Sequence, residues 1–543
     1  MRLQSLLLLA ATLLNTRALP AATPSRPNVL LVLADDMGFS DIGCYGGEIP
    51  TPNLDSLAKG GLRFTQFYNT ARCSTTRAAL LTGLLQHQTG IGILGEDPDQ
   101  QAPADAAAGY TRFLNTNCLT IAEALRSAGY HTYMAGKWHL GLHGQEKWPR
   151  QRGFERYYGI LAGACSYHRP QGGRGLTLEN TPLPPPTDTN YYTTDAFGEH
   201  LVQFLHEQKD DQPFFAYLAF NAPHWPLHAR PEDIARFVGK YTNGWDRLRE
   251  ERWQRQLALG VVKREWGLSP RDEGARAWET LTGEQQRQLD YRMAVYAAQV
   301  QRMDFQIGRV LEALRASGKL ENTVVIFLSD NGGCAEPYND LGGGKFEEIN
   351  DPDKAGSVSY GTGWANASNT PFRRYKARLH EGGIATPLIV AWPAGLKTRA
   401  GALTDTRGYV SDLMPTILEL AGVSYPTEFA GRKLTPLYGR SLAPVLQGGT
   451  LAQPEWMFWE HYNDRAARKG DWKIIGRIGS GKWELYDLAT DRTEQRDLAA
   501  QKTELVAEMA SAWQRWAEQH QVLPRFLGTQ PKADGTTKRT PAR

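Results

Sequence analysis

Short, unbroken apolar runs alternate along this chain with longer stretches whose apolar positions recur at helical spacing. Asn28 to Ala34 reads NVLLVLA. It is rich in β-branched residues and too brief for a buried helix, so it predicts a strand covered on both faces. Thr323 to Ser329, TVVIFLS, has the same character, and Phe214 to Phe220 and Pro387 to Trp392 are further strand candidates. Leu119 to Ala128 has helical patterning, and Asp290 to Ala316 predicts a long amphipathic helix leading into the second of these runs. Buried strands alternating with helices predict an α/β fold, a large, mostly parallel mixed sheet sandwiched by helices. Ligands in such a sheet gather beyond the carboxyl ends of the strands.

The pattern changes twice. Residues from Tyr241 to about Asp290 are charged, Trp-rich and helical, which marks an insertion in the main domain. Beyond about Val445, MFWEH, DWKIIG and WELYDL read as short strands, followed by a helix over Thr503 to Gln519. This predicts a smaller C-terminal antiparallel sheet with one helix. The expected division is therefore a main domain at 26–445, a C-terminal subdomain at 446–525 and a disordered tail at 526–543, where Lys, Arg, Thr and Pro dominate.

At the amino end, Arg2, the apolar stretch Leu6 to Leu14 and small residues around Ala18 to Ala22 read as an export signal covering 1–22. A bilayer span needs about 20 apolar residues, so the expectation is an exported protein, periplasmic or secreted, with no stable membrane insertion. Lys plus Arg number 61 against 58 Asp plus Glu, a formal charge of +3. That balance gives no basis for nucleic-acid binding, and any anion must be met locally. The five cysteines, Cys44, Cys73, Cys118, Cys165 and Cys334, form no CxxC pair. If Cys73 is set aside, the other four allow two bridges in three pairings, or none.

Chemistry-bearing residues cluster at the ends of the predicted strands. The first run ends in Asp35 and Asp36, and the second ends in Asp330 and Asn331 before the turn pair Gly332 and Gly333. Crowded carboxylates need a cation, and an all-oxygen donor set suits calcium or magnesium rather than zinc. In CSTTRAALLTG, Cys73 stands four positions before Arg77 at the mouth of an apolar helix beginning near Thr75. Free N–H groups of a first turn and a forked guanidinium form an anion site with a thiol inside it. In AGKWHLG, a K-x-H spacing on an extended strand turns Lys137 and His139 to one face. His224 sits in the Pro-flanked NAPHWPLHA with His228, and Lys376 in NTPFRRYKARLHEGG with His380. The loop Gly163 to Pro186, with Tyr167, His168 and Arg169, and Trp245 of the insertion are candidates for meeting a substrate ring.

CSTTRAALLTG, GYHTYMAGKWHLG, the two acidic strand ends and the lysine before EGG occur in the order found in type I, formylglycine-dependent sulfatases. The chain resembles that family, a branch of the alkaline phosphatase superfamily, and within it the bacterial arylsulfatase-like members. It departs from the family pattern at Thr75, where Pro or Ala is usual, and at IATP after EGG, where Arg often follows. The resemblance implies that a maturation enzyme oxidises Cys73 to formylglycine (3-oxoalanine), whose hydrate attacks the sulfur of an aryl or carbohydrate sulfate ester. It also implies one calcium ion held by Asp35, Asp36, Asp330, Asn331 and the residue at position 73. In the same scheme Arg77 and Lys137 hold sulfate oxygens, His139 resolves the covalent adduct, His224 protonates the leaving oxygen and Lys376 stabilises its charge. Phosphodiester or phosphonate hydrolysis by the same superfamily is the alternative. So is calcium-dependent binding of sulfated glycans without turnover, if Cys73 stays a thiol.

Overall fold

The run Asn28–Ala34 is an inner strand because every residue from Val29 onward is buried, which requires cover on both faces. It pairs in parallel with Thr323–Ser329 on one side and Phe214–Ala219 on the other. The computed structural model describes residues 26–98, 101 and 106–522. The export signal at 1–22 and the tail at 526–543 lie outside the described residues.

Ten strands form the main sheet in the order Ala402–Thr404, Leu62–Phe64, Leu388–Ala391, Thr323–Ser329, Asn28–Ala34, Phe214–Ala219, His131–Lys137, Arg156–Ile160, Leu176–Leu178 and Thr181–Pro182. The central five, Thr323–Ser329 to Arg156–Ile160 in that order, are parallel. Leu388–Ala391 runs antiparallel to its neighbours, making the sheet mixed. The long helix is Gly283–Ala316, opened by a reciprocal capping box between Thr282 and Gln285, and it packs on Thr193–Glu207 and Pro52–Gly60. Cys73–Thr82, Ile121–Ser127 and Leu413–Leu420 form another packed group.

The Tyr241 to Asp290 segment folds around the helix Gly244–Leu259, and Trp245 is wholly buried there against Trp278 and Trp364. It is a core residue and does not reach a substrate. All five cysteines are unbridged, so of the pairings open to the sequence the chain adopts none.

The carboxyl-terminal sheet has four antiparallel strands, Trp456–His461, Asp464–Lys469, Trp472–Arg477 and Trp483–Asp487, with the helix Thr503–Gln519 packed on it. The strand DRAARK was not visible as a pattern because its buried residues are Asp464, Ala466, Ala467 and Arg468, two small and two charged. Arg468 pays for its burial by bonding the Tyr68 hydroxyl at 2.7 Å. Beside it, Lys473 bonds Glu381 at 2.9 Å and Glu494 at 2.8 Å, and Arg492 bonds Glu381 at 2.8 Å. This buried network joins the small sheet to the turn that follows Lys376.

Candidate active site

Strand register assembles the acidic centre. Ala34 is paired with Ser329, so Asp35 and Asp330 leave the sheet side by side. The Asp35 N–H donates to the Ala222 carbonyl at 3.0 Å, which draws in the loop carrying His224. Asp36 takes a left-handed backbone (φ 64°), uncommon for a residue with a side chain. Its N–H donates to Asp330 Oδ1 at 3.1 Å, and its carboxylate accepts from Asn331 Nδ2 at 2.7 Å.

Three cations close around these three carboxylates. Lys137 Nζ lies 2.6 Å from Asp35 Oδ2. Arg77 Nη2 lies 3.1 Å from Asp330 Oδ2 and 3.6 Å from Asp35 Oδ2, and its Nη1 donates to the Lys137 carbonyl at 2.9 Å. Lys376 Nζ is 2.8 Å from both oxygens of Asp36. All six side chains are buried. Burial pushes the Asp35 carboxyl upward, but Lys137, His224, Arg77 and Lys376 outweigh it and hold it far below the usual range. Asp330 moves the other way, raised by burial and by the Asp35 charge alongside. Burial opposes the Lys376 charge, but Asp36 holds its pKa well above the ordinary value.

Asp35 Oδ1 and Asn331 Oδ1 are buried without a hydrogen-bond partner. Asp35, Asp36 and His224 bring one ligand atom each within 4.8 Å of one another. Orphaned buried oxygens beside crowded carboxylates fit a hard divalent cation.

Cys73 opens the helix Cys73–Thr82, two residues earlier than its spacing predicts, because the Arg72 carbonyl already accepts from the Thr76 N–H. Arg72 provides no side-chain cap, which leaves first-turn donors for an anion. Thr75 is buried, and its hydroxyl donates to the Arg72 carbonyl at 3.0 Å and accepts from Thr70 Oγ1 at 2.6 Å. The Cys73 thiol, raised in pKa by burial, lies 3.4 Å from His139 Nδ1. His139 Nε2 is buried and unpartnered, and burial, with Lys137 and Arg77, holds its pKa well below the ordinary value.

Lys137 and His139 do not share a strand. The strand His131–Lys137 ends at Lys137, and His139 follows in a left-handed conformation (φ 57°) that aims it at Cys73. His224 Nδ1 lies 2.6 Å from the Trp225 carbonyl, which can only accept, so the ring proton sits there and Nε2 faces Asp36 at 3.4 Å. Burial lowers the His224 pKa to about 4, against the pull of Asp36.

Residues 27–423 match the Sulfatase family. The chain belongs to it. Residues 372–519 of this sulfatase also match the family described as N-sulphoglucosamine sulphohydrolase, C-terminal. It is 36% identical over 450 residues to an arylsulfatase of Klebsiella aerogenes, a match covering 78% of this chain and 93% of the relative. It is 35% identical over 525 residues to an uncharacterised sulfatase of Schizosaccharomyces pombe, covering 91% and 93%. Two solved structures share its fold at 24% and 20% identity. Ps i-CgsB in complex with k-i-k-neocarrahexaose gives a TM-score of 0.67, covering 92% of this chain and 95% of that one. A protein in complex with its substrate D-glucosamine-2-N,6-O-disulfate gives 0.61, covering 92% and 99%. This sulfatase is thus a sulfuric ester hydrolase with an alkaline phosphatase-like fold.

All ten candidate residues lie at one end of the sheet of this sulfatase, and those of the substrate loop divide. Tyr167 is buried, its hydroxyl 2.7 Å from the carbonyls of Asn221 and His224, so it braces the His224 loop. His168 stacks on His228, whose Nδ1 accepts from the Tyr167 N–H, while Arg169 pairs with Asp353 at the surface. His380 pairs with Glu484 of the small sheet. The sequence did not single out Arg72 and Glu336, ion-paired beside Cys73. They are 264 residues apart, and no spacing signals such a pair.

Proposed function

We propose that this sulfatase cleaves aryl or carbohydrate sulfate monoesters through formylglycine formed at Cys73, with calcium held by Asp35, Asp36, Asp330 and Asn331. The observation that carries this reading is the Cys73 side chain at a helix start, 3.4 Å from His139 and backed by Arg77 among buried carboxylates. As formylglycine, position 73 supplies a hydrated aldehyde oxygen as nucleophile, and calcium supplies charge that draws electron density from the ester.

The chain's own groups do the rest. Three carboxylates are already matched by Arg77, Lys137 and Lys376. A divalent ion therefore leaves the pocket positive and ready for a sulfate monoanion. Arg77 and Lys137 hold sulfate oxygens, and Lys376 opposes the charge growing on the leaving oxygen. His139 takes a proton from position 73, and His224, whose resting ring proton is on Nδ1, delivers to the departing alcohol a second proton that Nε2 first takes from solvent beside Asp36.

We place the catalytic unit at 26–445 and the C-terminal subdomain at 446–525, in an exported chain matured by a formylglycine-generating enzyme. No helix among the described residues is long and apolar enough to cross a membrane. Mass analysis of the peptide containing Cys73, with turnover of matched aryl sulfate, phosphate diester and phosphonate, tests the reading. An aldehyde at position 73 and preference for sulfate are expected. A persistent thiol, or preference for phosphorus esters, overturns it.

A further inference from the structure

Next to the buried centre, a cluster that reaches the surface beside Cys73 combines residues of the main domain and of the small sheet. Arg72 adjoins Cys73, bonds Glu336 and lies over the Tyr462 ring at 5.7 Å. Tyr462 has a left-handed backbone in the turn between the first two strands of the small sheet. Two residues beyond Glu336, Tyr338 is 46% exposed, one of few large hydrophobic side chains left open among the described residues. It too is left-handed (φ 65°), beside Tyr375 at 5.8 Å and under Arg378 at 6.0 Å. The Ala377 N–H donates to the Ala71 carbonyl at 2.9 Å, and the Lys376 N–H to the Gly333 carbonyl at 3.1 Å. These bonds tie the segments carrying Arg378, Arg72 and Tyr338 to one another and to the buried site.

Charge in this cluster is already spent. Glu336 holds Arg72, and Asp464 holds Arg378 at 3.3 Å. An open aromatic face beside neutralised arginines suits a ring without further charge: a second sulfate would have to compete with Glu336 and Asp464 for its cations. We propose that Tyr338, Tyr462 and the Arg72–Glu336 pair form the leaving-group subsite, which takes a single uncharged ring, aryl or pyranose, with Glu336 accepting from a ring hydroxyl where one is present. This rests on the sulfatase reading for the sulfate end of the ligand and commits only the other end.

Binding isolates the subsite from turnover. Cys73→Ser protein with calcium is titrated calorimetrically with methyl sulfate, phenyl sulfate, a monosulfated pyranose and the same sugar disulfated. The ring monosulfates are expected to bind about tenfold more tightly than methyl sulfate, the scale of one aromatic contact. Tyr338→Ala should erase that difference while leaving methyl sulfate affinity unchanged, and Tyr338→Phe should keep it. Phenyl sulfate exceeding the sugar identifies an aryl site, and the reverse a pyranose site. Equal affinity for methyl and ring sulfates, a parallel loss for both in Tyr338→Ala, or a preference for the disulfated sugar overturns the proposal. Failure of the wild-type protein to hydrolyse any sulfate ester sinks the catalytic reading instead, and the titration still decides the subsite.

Discussion

The Cys73 thiol lies 3.4 Å from Nδ1 of His139 although the two residues stand on different elements, a helix start and a left-handed turn after a strand. Gly163 packs against the other side of the imidazole, where any Cβ would fall 2.6 Å from the ring. The ring is therefore confined between the Cys73 side chain and the backbone. His139→Ala should keep the fold and calcium binding and lower kcat on phenyl sulfate by roughly 10²–10⁴-fold, the range for a lost acid–base group. Single-turnover kinetics of the matured enzyme check it: the loss should fall after release of the alcohol, with adduct at position 73 accumulating.

Calcium should stabilise the fold itself, because Asp35 Oδ1 and Asn331 Oδ1 gain a partner they otherwise lack. At about 100 times the dissociation constant, linkage gives about 2.7 kcal/mol. Thermal unfolding in calcium against chelator measures this. Asp330→Asn relieves repulsion with Asp35 and should unfold no earlier than the parent in chelator, but lose the calcium-dependent rise. An undiminished rise would remove Asp330 from the ion's ligands.

Lys376 touches both oxygens of Asp36, and the proposed reaction has it oppose charge on the leaving oxygen. Lys376→Met should cut kcat by roughly 10²-fold on an alkyl sulfate. The effect should be much smaller on 4-nitrophenyl sulfate, whose leaving group carries its own charge well. Equal losses on both would make Lys376 a holder of Asp36 alone.

The buried network of Lys473, Glu381, Glu494 and Arg492 should decide the acid stability of the joint between the two sheets. Burial raises the Glu381 carboxyl, but Lys473, Arg492 and Arg468 pull it down to about 2 from 4.5. Stability from a depressed acid is fully present above the unfolded value and lost as pH falls through the folded one. Denaturant midpoints should therefore drop between about pH 4.5 and about pH 2. Lys473→Met leaves two buried carboxylates short of a cation and should cost about 3–5 kcal/mol, much of it recovered by adding Glu494→Gln.

Much of the site was legible because its parts lie at the ends of unmistakable strands. NVLLVLA and TVVIFLS read as buried parallel strands, and their observed pairing brings Asp35, Asp36, Asp330 and Asn331 out at the same edge. Local signals failed where residues borrowed partners from far along the chain. Trp245 read as a candidate for meeting a substrate ring but fills a core with Trp278 and Trp364, and DRAARK is a strand paired on both sides whose buried Arg468 finds Tyr68, 400 residues away.

The sequence by itself determined the three innermost strands, Thr323–Ser329, Asn28–Ala34 and Phe214–Ala219, the acidic residues at the ends of the first two and the family of the chain, since short-range apolar pattern and motif order carry that information. Tertiary structure alone decided how His139 turns toward Cys73, which carboxylate each cation serves and how Arg72 pairs with Glu336. Those choices depend on left-handed turns and contacts between distant segments, which nothing in local residue spacing encodes.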